Sequence, residues 1–224
     1  MVIKIGPVCS VREAELVGAV DIIVMRLGVA DDRASRTISE ATFAAVRAAT
    51  GAVVALRAET PGPLADTVRR LAPDYVEFTA VDAAKTEPLA AQLATLTALD
   101  VPLIATVGAV LKDDVRLLAE EAHLARLVAA GAHYLAVELE SVLDPDFRIA
   151  APARRRLAEV FARYPVLVTD AFTDLTGGLG LNETGSYLEL GDGRTRPQSF
   201  RLPTAVRLLR TRRPAPAAGR SRGS

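Results

Sequence analysis

The sequence predicts an α/β protein, a (βα)8 TIM barrel with a degenerate seventh βα unit. Eight short apolar runs alternate with amphipathic helical stretches along 224 residues, as in a parallel sheet joined by helical crossovers. The repeats are compact, and their number suits closure into a barrel. The alternative, an open doubly wound sheet, would carry a GxGxxG turn after its first strand, and none follows Val2–Val8.

Val2–Val8 is the first strand, with Gly6-Pro7 near its end, and Ser10 is the N-cap of a helix over Val11–Val20. Asp21–Leu27 is the second strand. Ser39 caps a helix over Ser39–Thr50 in which Phe43, Val46 and Ala49 share one face. Val53–Leu56 and Asp74–Phe78 are strands three and four, separated by a helix over Pro63–Leu71. A helix over Glu87–Leu99 leads to strand five, Val101–Val107. A long helix over Asp113–Ala130 ends at Gly131, before strand six over His133–Leu139. Pro152–Arg163 is helical, Val166–Thr169 is strand seven, Tyr187–Leu190 is strand eight and Pro203–Arg212 is the last helix. The seventh unit breaks the pattern, because Ala171–Ser186 reads AFTDLTGGLGLNETGS, with four glycines and little helical periodicity. The barrel is expected over 1–213, and the Pro, Ala, Gly and Arg-rich stretch 214–224 reads as a disordered tail.

Composition excludes several functions. Lys and Arg total 27, as do Asp and Glu, so the chain lacks the basic footprint of a nucleic-acid binder. Cys9 is the one cysteine and His123 and His133 the two histidines, so neither a disulfide framework nor a Cys- or His-rich metal site is expected. No run reaches the apolar length of a membrane span and the N-terminus lacks an unbroken apolar signal region, so a cytoplasmic protein is expected.

Active sites of this barrel lie at the C-terminal ends of the strands. Arg26, Arg57, Glu59, Glu77, Thr79 and Thr106 fall at those ends, as catalytic or binding groups or as ion pairs that satisfy one another. Glu138 and Glu140, two apart on strand six, share one side of the strand; if that side is the barrel interior, crowding would split them into acid and base roles, and the alternative is that only Glu140 emerges at the mouth while Glu138 pairs with Arg26 or Arg57. Glu189 and Asp192 place negative charge at the end of strand eight.

Several segments, in order, resemble the phosphoribosylanthranilate isomerase family. VIKIGPVCSVREAELV is similar to that family's first strand and helix, GAVDIIVMRLG to its second strand, and ASRTISEATFAAVRAA to its SPRxIS segment. ETPGPLADTVRRLAPDYVEFT, VPLIATV and YLAVELES resemble its third helix with strand four, its fifth strand and its sixth strand; the likeness covers about 1–141. The resemblance implies a (βα)8 barrel and an Amadori-type aldose-to-ketose isomerisation of a phosphorylated aminoribose with no cofactor; a small-molecule substrate and a monomer or homodimer are expected, and the alternative is a non-catalytic or ligand-binding barrel that keeps the scaffold only. It places the general base of strand one on Gly6 and the general acid of strand six on Glu140. Glu189, Asp192, Cys9 and Glu138 are the groups available to replace the base, Glu189 first because strand eight neighbours strand one in a closed barrel. Arg36 matches an arginine that holds the substrate carboxylate. Gly177 and Gly178 in LTGGLGLNE and Gly191 in LELGDG resemble the phosphate-binding turns. Arg57 and Glu77 complete the expected substrate-binding set.

Overall fold

The computed structural model describes residues 1–18, 20–28, 31–58, 64–80, 86–110, 121–139, 151–169, 183–191 and 199–212. The strands are β1 (Val2–Gly6), β2 (Ile22–Arg26), β3 (Val53–Ala58), β4 (Tyr75–Thr79), β5 (Leu103–Val110), β6 (Ala132–Leu139), β7 (Val166–Val168), β8 (Gly185–Leu190) and the short β9 (Ser199–Phe200). The described helices are α1 (Val11–Val17), α2 (Glu40–Ala49), α3 (Leu64–Leu71), α4 (Thr86–Thr97), α5 (Glu121–Ala129), α6 (Ala151–Arg163) and α7 (Leu202–Arg212). Strands pair in parallel and in chain order, and β8 returns to β1 along Val2↔Gly185 to Gly6↔Glu189, which closes an eight-stranded barrel. No described helix is long and apolar enough to cross a membrane.

Local chemistry fixes the boundaries. Ser10 and Ser39 accept from the backbone N–H of Glu13 and Thr42, as N-caps do. Helix α1 stops earlier than its apolar spacing suggests, because Gly18 adopts φ 68 and its N–H turns back to Ala14 O. Strand β1 ends at Gly6, since Pro7 has no N–H to extend the ladder. Strands β5 and β6 run together to Val110↔Leu139, and an irregularity between Thr106 and Gly108 shifts their register. Residues 170–182 and 213–224, which hold the expected degeneracy of the seventh unit and the expected tail, lie outside the described residues.

Alternation along the strands separates two apolar regions. One face packs beneath the helices, where Ile5, Ile23, Met25, Leu56, Phe78, Leu135 and Leu188 meet Phe43, Leu124, Leu157 and Phe161. The other lines the barrel: Ile22, Val24, Ala55 and Ile104 form one cluster, Ala136, Leu167 and Tyr187 another, with Val2 and Tyr134 against both. The interior is therefore a packed core toward the N-terminal end, and residues further along the same inward positions reach the opposite mouth.

The β1–β8 seam is tight enough to require glycine. A Cβ on Gly185 would lie 2.1 Å from Val2 O and 2.9 Å from Val2 Cβ. Gly185→Ala must push the seam apart, and overpacking of this kind costs roughly 1–3 kcal/mol. Urea denaturation should show a lower midpoint for the variant; an unchanged midpoint would mean that the seam yields freely.

Candidate active site

The inward positions nearest the C-terminal mouth carry charge. Arg57 of β3 and Glu77 of β4 are register partners, and Glu189 of β8 is the register partner of Gly6 on β1. Arg57 donates from Nε and Nη2 to Glu77 Oε1 at 2.9 and 2.5 Å, and from Nη1 and Nη2 to Glu189 Oε1 and Oε2 at 2.5 and 2.7 Å. The other Glu77 oxygen accepts from Lys4 Nζ at 2.6 Å, and Nζ sits 4.6 Å from the Tyr187 ring centroid. Lys4, Glu77, Arg57 and Glu189 thus form one continuous chain across β1, β4, β3 and β8.

Burial gives the chain its strength. Lys4 and Glu77 side chains are 2% and 1% exposed, while Arg57 and Glu189 keep 12% and 7%. Unpaired charges so placed would be prohibitive, and each here has an ionic partner. Burial pushes the Glu77 carboxyl up, but Arg57 and Lys4 outweigh it and hold the group at about 2. Burial opposes the charged form of Arg57 as well, yet Glu77 and Glu189 raise its proton affinity well above the ordinary arginine value. The four charges sum to zero.

The structure brings together Arg57, Glu77 and Glu189, three of the residues expected from strand ends and the resemblance. Lys4 is the member that sequence reasoning missed. A signal was present, because a lysine on an inward position of VIKIG needs a buried anion. Glu140, Gly177 and Gly178 lie outside the described residues, and of Glu138 the structure describes the backbone, opposite Ala109 of β5.

Cys9, Arg36 and Gly191 lie beyond the strands, in the segments that follow β1, β2 and β8, whereas Arg26, Thr79 and Thr106 lie on β2, β4 and β5, and Glu59 and Asp192 fall outside the described residues. Arg36 donates from Nε to Pro7 O at 2.8 Å and from Nη2 to Glu13 Oε2 at 2.6 Å. Glu13 Oε2 also accepts from Cys9 N at 2.9 Å. Arg36 therefore braces the loop after β1 against the loop after β2, and its guanidinium is engaged with those partners. Cys9 is buried, with Sγ 3.8 Å from Pro7 O. Burial is the main cause that pushes its thiol to about 11, with Arg36 and Arg26 pulling against it, so it is a neutral thiol near pH 7 and unsuited to base chemistry. Gly191 donates its N–H to Phe200 O at 3.0 Å, and a Cβ there would lie 2.4 Å from Ser199 Oγ. Its backbone is thus engaged by β9. Among the described residues no cluster of His, Cys, Asp and Glu has the makings of a metal site.

Neither a family model nor a curated protein matches the sequence. Solved structures do. N-(5'-phosphoribosyl)anthranilate isomerase from Pyrococcus furiosus superposes with a TM-score of 0.57 at 14% identity, covering 94% of this chain and 99% of that one. The fold is that of the phosphoribosylanthranilate isomerases. The Thermus thermophilus isomerase gives 0.57 at 14% identity over 95% and 100% of the two chains, and the Thermotoga maritima isomerase 0.59 at 9% over 95% and 98%. A type I 3-dehydroquinate dehydratase from Clostridium difficile also superposes, at 0.54 and 10% identity over 94% and 90%. At such identities the likeness is one of fold, and fold does not decide reaction.

The charge chain makes a pH-dependent contribution to stability. The folded value of Glu77 lies below its unfolded value of 4.5, so its contribution is complete above about pH 4.5 and is lost as pH falls toward about 2. Glu77→Gln leaves Lys4 and part of Arg57 without their anion and should cost about 3–5 kcal/mol at neutral pH. Denaturation midpoints between pH 5 and pH 2 should fall more steeply for wild type than for the variant; parallel curves would remove Glu77 from the acid response.

Proposed function

We propose that this protein is a phosphoribosylanthranilate isomerase-like barrel enzyme that binds a small sugar or aminosugar at the C-terminal mouth and interconverts its aldose and ketose forms by acid/base chemistry. The observation that carries the reading is the register Gly6↔Glu189, together with the seating of Glu189 beside Arg57 at the mouth. The resemblance assigns the proton-abstracting group to Gly6, which has no side chain. Glu189 supplies a carboxylate from the adjacent strand at the same level.

In this mechanism Glu140 protonates the ring oxygen as the C1–O bond breaks. Ring opening leaves C1 doubly bonded to the amino nitrogen; Glu189 then takes the proton from C2 to give the enamine, the C2 hydroxyl passes its proton to the Glu140 carboxylate as the C2 carbonyl forms, and Glu189 returns its proton at C1, so reactant and product are isomers and both carboxyl groups are restored. Arg57 fixes the carboxylate through two N–H bonds and stabilises the negative charge that develops on the sugar oxygens. Cys9 takes no part, in keeping with its raised thiol, and Arg36 keeps the rim loops in place. Neither a cofactor nor a metal is required.

A second reading, a barrel that binds its ligand without turning it over, is favoured by one observation: both Glu189 oxygens are engaged by Arg57 in an ion pair, as in a structural carboxylate. Deuterium exchange separates the two. A panel of aldoses and 1-amino aldoses, free and phosphorylated, is incubated with the protein in D2O and followed by NMR. The wild type should incorporate deuterium with formation of the ketose, and Glu189→Gln should slow exchange by about 10²–10⁴. Saturable binding without exchange would establish the second reading, and equal rates for both proteins would remove Glu189 from the chemistry.

A further inference from the structure

We propose that the last helix and the residues after it form a basic arm that binds double-helical nucleic acid through its phosphates, without reading sequence. The proposal is independent of the reaction at the mouth. The charges of the whole chain cancel, but they are unevenly placed. Residues 201–224 hold seven of the 27 basic side chains, all arginine, and none of the 27 acidic ones. The segment therefore carries +7 and residues 1–200 carry −7. A neutral total hides such an asymmetry, and a basic block at one end of a chain is a mark of a polyanion-binding arm.

The barrel anchors this segment by its apolar side. Helix α7 (Leu202–Arg212) turns Ala205 and Leu209 into the core, with Leu202, Val206 and Leu208 packed against it. Arg207 and Arg210 are exposed and, three apart, share one helix face; Arg201 is exposed just before the helix. Arg212 ends the helix, and Arg213, Arg220 and Arg222 continue the charge in RPAPAAGRSRGS. Residues 213–224 have an extended length of roughly 40 Å. That is several times the Debye length of about 10 Å at 0.1 M salt, beyond which the negative charge of residues 1–200 is screened.

Side-chain chemistry selects the occupant. Arginine meets phosphate oxygens with paired N–H groups, and contacts to phosphate fix position without reading sequence. Residues 201–224 contain no aromatic side chain, so they offer no platform on which the bases of a single strand would stack. A duplex presents the denser array of phosphates, one charge per roughly 1.7 Å of its axis. An anionic membrane would be met by apolar side chains beside the arginines, but those of α7 are turned to the barrel.

The test is the salt dependence of binding. The full chain is titrated into short labelled DNA duplexes of two unrelated sequences, followed by fluorescence anisotropy between about 50 and 200 mM salt. Both duplexes should bind alike, and log K should fall against log salt with a slope of about −4 to −6, as for roughly five to seven phosphate contacts. Arg207→Gln with Arg210→Gln should make the slope shallower by about 2, and Arg213→Gln, Arg220→Gln and Arg222→Gln together by about 3. Should circular dichroism show that the helix variant has lost its fold, the second variant, which leaves the sequence of the barrel unchanged, decides. Failure to bind at the lowest salt, or binding that survives all five substitutions unchanged, would overturn the proposal. So would vesicles of anionic phospholipid that bind the chain more tightly than the duplexes do, or salt-sensitive dimerisation in sedimentation in place of duplex binding.

Discussion

Lys4, Glu77, Arg57 and Glu189 cross the inside of the barrel as one chain of ion pairs, and the rest of the site depends on it. Two of these groups are almost entirely removed from water, where a lone charge would be untenable. Each cation therefore has to meet a carboxylate, and the carboxylates come from β4 and β8. The requirement ties strands that are distant in sequence, β1 with β4 and β3 with β8, across the core that the alternating apolar residues build. Replacing such a chain with apolar side chains can leave stability unchanged or improve it. Stability alone is thus a poor reason for its presence.

That mouth differs from the expected one in two ways. Arg36 and Glu13 brace the loops after β1 and β2, so an arginine matched to substrate carboxylate binding works here as a strut with Pro7 O. Strand β9 closes the end of β8 over Gly191, so a glycine matched to phosphate binding is packed against Ser199. The fold shared with phosphoribosylanthranilate isomerases thus holds, among the described residues, a paired set of Lys4, Glu77, Arg57 and Glu189, with Glu189 at the level of Gly6 on the neighbouring strand.

The barrel was legible because period-two and helical apolar patterns alternate clearly, and because Ser10, Ser39 and Gly131 mark element ends by local chemistry. The meeting of Arg57, Glu77 and Glu189 was legible in part, since each is a charged residue near the end of an apolar strand. Lys4 was less legible because it sits one position pair deeper on β1 and its partner Glu77 is distant in sequence. The roles of Arg36 and Cys9 were hidden for a different reason: loop geometry depends on partners such as Pro7 O and Glu13 that are distant in sequence or carry no motif. Strand β9 is not legible in the sequence because two residues hold no readable period. Domain extent, the seventh unit and Glu140 stand as sequence expectations.

The central claim is that Arg57 and Glu189 act as one unit at the mouth, and a double-mutant cycle tests it most directly. Arg57→Leu, Glu189→Leu and the double variant are unfolded in urea at pH 7 beside wild type. If the pair is a unit, each single variant strands a partner charge, and the double variant should lose less stability than the two singles together, by about 0.5–3 kcal/mol. Losses that add to within about 0.5 kcal/mol would contradict it.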